Sequence, residues 1–109
     1  MGKLIYGDAE IEIEFDDRAL THVQLVLGSK LRRGESFFFS WKDDVAVGDG
    51  RSSIWIDRAI PLYFKYSGSK VPEINREWLE LLTSSANSGQ GFIFIQEPGG
   101  IASTPKGHV

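Results

Sequence analysis

Three clusters of side chains in this 109-residue chain have the types and spacing for chemistry. Glu10, Glu12 and Glu14 occupy alternate positions of an unbroken polar and apolar alternation. On a strand their carboxylates share one side, with neighbours about 6.8 Å apart. Oxygens held on a rigid element suit acid–base work or a divalent cation. Nothing adjacent in sequence desolvates the trio, so the plainer reading is a solvated strand face whose repulsion discourages edge pairing. Asp43, Asp44 and Asp49 form a second acidic group in a glycine-containing loop. An EF-hand is excluded, because Val45 and Val47 stand where oxygen ligands belong and no glutamate closes the loop. The third cluster is GDGRSS, Gly48 to Ser53. Its amides, with Arg51, Ser52 and Ser53, have the donors to hold a phosphate, although there is no GxxxxGK[ST] pattern and no following helix.

Positive charge concentrates on the first helix. A helix from about Asp17 to Arg33 places Leu20, Val23, Leu27 and Leu31 in a core stripe and Arg18, His22, Leu25, Ser29, Arg32 and Arg33 on the opposite side, with Lys30 at the border. Such a face neutralises several phosphates, and arginine adds a planar fork that lysine lacks. Nucleophilic catalysis has little to work with. There is no GxSxG elbow and no cysteine, and the histidines are His22 and His108. A formal charge of −3 and a pI near 5.3 argue against a non-specific nucleic-acid coat while leaving room for a local basic patch. No apolar run reaches the length of a membrane span or a signal-peptide core, and the lack of cysteine points to the cytoplasm.

The elements that must position these residues follow from pattern. Lys3 to Tyr6 is a short apolar strand turned at Gly7-Asp8, and the alternation from Glu10 to Phe15 completes a hairpin. Asp16 caps the first helix, with Phe15 and Leu20 as its hydrophobic staple. Cations at Lys30, Arg32 and Arg33 meet the negative helix end, and Gly34 supplies the left-handed stop. Ser36 to Trp41 is then a central aromatic strand, with Val45 to Val47 as a candidate extension of its hairpin, and Ile54 to Ile56 is the return. Pro61 to Tyr66 is another strand. A second helix begins between Pro72 and Asn75, with Ile74, Trp78, Leu81, Leu82 and Ser85 toward the core, and Phe92 to Ile95 is a last strand.

The order β-β-α-β-β-β-α-β predicts an α+β domain over residues 1–98: a single, mostly antiparallel sheet of about six strands packed by two helices. Residues 99–109 read as a flexible tail. Phe37, Phe39 and Trp41 cannot share a face with Phe38, so either both faces are covered or an aromatic patch stays open. Phe37, Phe39, Trp41 and Trp55 are accordingly the candidate interaction residues.

KLRRGESFFFSW, GRSSIW and INREWLELLTSSAN, with the opening MGKLIYG, resemble a family of small actinobacterial proteins of about this length, frequently labelled ATP-dependent DNA ligase. The resemblance covers nearly the whole chain up to Pro98 and marks Arg32, Arg33, Ser40, Trp41, Arg51, Ser52, Ser53, Asn75 and Arg76 as motif positions. Ligase adenylation needs a KxDG lysine. Here Lys42 is followed by Asp43, Asp44 and Val45, so the resemblance implies an association with DNA transactions and not ligation. Two functional readings result, both non-catalytic and without cofactor or metal. The first is a nucleic-acid or phosphate-binding module using Arg18, Lys30, Arg32, Arg33, Arg51, Ser52, Ser53 and Arg76. The second is a protein-interaction or homodimerisation module using an open sheet face or edge.

Overall fold

The computed structural model describes residues 1–8, 11–43, 48 and 50–99, and the backbone of 106–108. In chain order the elements are β1 (Gly2–Tyr6), β2 (Ile11–Phe15), α1 (Asp17–Arg32), β3 (Phe37–Lys42), β4 (Arg51–Ile56), β5 (Leu62–Lys65), α2 (Arg76–Ala86), β6 (Phe92–Ile93) and β7 (Lys106–His108). The expected α+β order therefore holds through β6. The expected single sheet does not. The strands divide into two small sheets, β5-β1-β2 and β4-β3-β6, and β7 pairs antiparallel on the outer edge of β2. Each hairpin carries its own alternating apolar face, Leu4, Ile13 and Phe15 on one and Phe37, Phe39 and Trp41 on the other, all buried. Two such faces are covered most economically by meeting each other, and the Phe15 and Phe39 rings stack with centroids 6.2 Å apart.

Local signals in the sequence explain the ends of α1. The Asp16 carboxylate accepts a 2.6 Å hydrogen bond from the Ala19 amide, and Phe15 and Leu20 are both fully buried as the staple requires. At the other end the Gly34 amide donates to the Leu31 carbonyl and the Glu35 amide to the Lys30 carbonyl, closing a Schellman motif with Gly34 at φ +74°. Asn75 caps α2 by accepting from the Trp78 amide at 3.1 Å. Helix α1 packs on β1, β2 and α2, and α2 packs in turn on β6.

Coverage on two sides gives α1 a wider buried arc than its apolar stripe predicts. Ala19 and Val26 join the core, and His22, expected on the outer face with the arginines, is fully buried under Trp78 of α2. On α2 the buried residues are Trp78, Leu82 and Ala86, while Leu81, expected inside, is exposed. The last strand is shorter than Phe92 to Ile95, although the Phe94 amide still donates to the Ser40 carbonyl at 2.9 Å. Strand β6 lies parallel to β3, pairing Phe39 with Phe92 and Ser40 with Ile93. It fits there because of Gly91. A Cβ at that position would stand 2.7 Å from the Phe38 carbonyl oxygen, and φ is +85°. Glu10, Asp44, Asp49, the candidate strand extension at 45–47 and tail residues 100–105 and 109 lie outside the described residues. Among the described residues no helix is long and apolar enough to cross a membrane.

Candidate functional site

Three of the six cations expected to face phosphates, Arg18, Lys30 and Arg33, have protein partners. Arg18 grips Glu97 through Nε and Nη2, at 2.9 Å to Oε1 and 2.6 Å to Oε2, and donates Nη1 to the Glu73 carbonyl at 2.6 Å. The Asn75 side-chain amide donates to the same carboxylate at 2.7 Å. These hydrogen bonds, from Arg18 first and Asn75 second, lower the Glu97 pKa to about 2. His22 completes the cluster. Its Nε2 accepts from the Asn75 backbone amide at 2.9 Å and its Nδ1 lies 2.7 Å from the Arg18 carbonyl, so it carries the proton on Nδ1. Both ring nitrogens are thus occupied by main-chain partners, and the ring has no solvent access. The cluster joins α1, the start of α2 and the segment after β6.

Lys30 is buried. Its ammonium lies 3.1 Å from Glu35 and 5.1 Å from the centre of the Phe37 ring. Glu35 is shared with Arg33, which also donates to Asn87. Arg32 is exposed, and with Arg33 it rims an open groove of about 580 Å³ that Leu27, Leu62 and Phe64 also line. Arg76 is exposed at the start of α2. In the Arg51 rim Ser52 donates to Asp43 at 2.8 Å, the carboxylate that also accepts the Trp41 indole N–H at 3.0 Å. Ser53 and Ser40 bond each other at 2.6 Å across the strands. Of the acidic strand trio, Glu12 pairs with Lys3 at 3.4 Å. Among the described residues no group of three histidine or carboxylate side chains is placed to hold a metal.

Among the described residues the outer face of the β4-β3-β6 sheet is open to solvent. Alternation sends Phe37, Phe39 and Trp41 into the core, so three of the four candidate interaction residues are structural. Trp55 does face outward, and it is joined there by Phe38 and Ile93, which sequence reasoning did not assign. Their exposures are 45%, 52% and 41%. Phe38 and Trp55 are cross-strand partners with rings edge to face at 4.9 Å. Registration organises the face into rows: Ser36 and Asp57, then Phe38 and Trp55, then Ser40 and Ser53, then Lys42 and Arg51. Ile93 extends the serine row and Gly91 lies against Phe38. Asp57 is held at its end by the Ala59 amide, the Ser36 hydroxyl and the Trp55 side chain, which keep its carboxyl below the usual carboxylate range. The face thus runs from an anion through aromatics and hydroxyls to two cations. The signal for it was present in sequence as the odd residue of FFF and the alternate residue of SSIW, but which alternating set turns outward depends on what covers the other.

A family model described as a domain of unknown function, DUF7882, matches residues 1–97. No curated protein and no solved structure matches the chain.

Proposed function

We propose that this chain, which belongs to the DUF7882 family, is a non-catalytic binding module that docks a protein surface on the outer face of its β4-β3-β6 sheet. The observation that carries this reading is the Phe38, Trp55 and Ile93 patch, three large apolar side chains side by side in solvent on a regular sheet. Folding gains nothing from leaving them there, and tryptophan and arginine in such a setting are the side chains that dominate interface energies. The edge-to-face contact between Phe38 and Trp55 at 4.9 Å holds both rings before any partner arrives, which lowers the ordering cost of binding. Among the described residues the buried histidine is bonded at both ring nitrogens and Glu97, Glu35 and Glu12 are paired with cations, which favours a binding reading.

Lys42 and Arg51, exposed at one end of the same face, favour a second reading, single-stranded nucleic acid with bases stacked on Phe38 and Trp55. That reading moves the nucleic-acid contact off α1, where Arg18 is paired with Glu97 and Lys30 and Arg33 share Glu35. It keeps the association with DNA transactions that the sequence resemblance implies.

Both readings are tested by replacing Phe38 with the photo-crosslinking residue p-benzoylphenylalanine in the full chain and irradiating living cells, with Tyr63 on the outer face of the other sheet as the control position. Protease-sensitive adducts from position 38 well above those from position 63 are expected for a protein partner. Nuclease-sensitive adducts would favour the second reading, and equal yields at the two positions would remove the face as a site.

A further inference from the structure

We propose, building on the sheet-face reading, that the surface docking there is a second copy of this chain, related by a two-fold axis that lies in the interface and runs perpendicular to the strands. Under that operation β4 lies over the partner's β4 and runs the opposite way, and β3 and β6 do the same. The register then decides what meets what. The Phe38 and Trp55 row falls on the partner's Ser40 and Ser53 row, and Ile93 falls on the partner's Gly91. On every strand a large side chain meets a small one, which is the interdigitation that face-to-face sheets need.

Charge selects this arrangement over its alternative. Arg51 opens β4 and Asp57 directly follows its last residue, six residues on and about 20 Å away at the rise of a strand. The reversed copy brings each Asp57 over the partner's Arg51 and beside the partner's Lys42, twice per dimer. An axis parallel to the strands would instead set each row on the same row of the partner, bringing the Lys42 and Arg51 ends of the two copies together, and like charges in apposition are repelled. An isologous interface must be self-complementary in shape and in charge, and this face has both properties along one direction.

The test is sedimentation velocity on the full chain from about 1 to about 500 µM, with circular dichroism on each variant to confirm folding. The wild-type chain is expected to approach twice its monomer mass, and Phe38→Ser to weaken association about thirtyfold. Asp57→Lys alone and the Lys42→Glu, Arg51→Glu pair alone are each expected to stay monomeric. Mixed one to one they should form a dimer, because both contact sets are then oppositely charged. A wild-type chain that remains monomeric throughout, or folded variants that fail to combine, overturns the proposal. Adducts from position 38 to another macromolecule with a monomeric chain would leave the face as a binding site while removing this occupant. Absence of such adducts together with a monomer would remove both.

Discussion

Glu97 and His22 define a polar cluster whose members sit far apart in sequence, Arg18 and Glu97 being 79 residues apart. The Glu97 side chain is 10% exposed, so its hydrogen bonds to Arg18 and Asn75 are sheltered from solvent. A carboxyl with its folded pKa lowered from 4.5 to about 2 adds stability that is fully present above pH 4.5 and is lost as the pH falls toward 2. Glu97→Gln is therefore expected to cost about 2 kcal/mol at neutral pH. Urea midpoints should show the gap to wild type closing progressively below pH 4.5 and vanishing near pH 2. A gap that persists at pH 2 would mean that the side chain acts through packing and not through its charge. Lys30 belongs to the same scale. Its stem lies along Phe37 and its charge is matched by Glu35, so Lys30→Ala should destabilise by about 1 to 2 kcal/mol, by loss of packing as much as of charge. A phosphate-contact role for this residue would show instead as a loss of binding with stability intact.

At the scale of elements the seat of β6 is the most exacting feature. Gly91 combines a positive φ with a carbonyl 2.7 Å from where a Cβ would stand, so Gly91→Ala should cost about 2 kcal/mol or more. Hydrogen exchange should place the loss first in the Phe92 and Phe94 amides, and uniform loosening of both sheets would contradict it. The elements themselves were largely legible. The Asp16 cap, the Phe15 and Leu20 staple and the Gly34 stop are local chemistry, written within a few residues, and each stands where the sequence puts it, while the start of α2, left between Pro72 and Asn75 by pattern, is set by the Asn75 cap. What lay beyond local reach was pairing. Nothing in Phe92-Ile93 announces that it will run parallel beside Phe39, and nothing near Arg18 announces Glu97. His22 falls on the polar side of a helical wheel, yet it is buried because α2 comes to cover it, and the alternation of FFFSWK states two faces without saying which one a second sheet will occupy.

The whole molecule behaves as one packing unit, because Phe15 of one sheet, Phe39 of the other and Phe94 beyond β6 touch in a continuous chain of rings. Phe39→Ala is accordingly expected to remove about 3 to 5 kcal/mol and to leave a single thermal transition. Calorimetry showing two transitions would mean that the sheets are separable. At this scale too Arg18, Lys30 and Arg33 are engaged by carboxylates of the same molecule while Arg32 stays exposed, and the aromatic face of the β4-β3-β6 sheet is open to solvent. The late position of β6 carries a consequence for synthesis. The groove beside Phe39 is filled by Phe92, the Trp78 indole N–H donates to the Ile95 carbonyl, and Arg18 meets Glu97. A nascent chain that has emerged only as far as α2 holds the two hairpins and both helices but lacks the residues that satisfy all three. At elongation rates of about 5 to 20 residues per second the folding step must wait on those last residues. Stalled or prematurely terminated chains would then present an open aromatic groove to chaperones and proteases, so that translation itself proofreads the length of the domain.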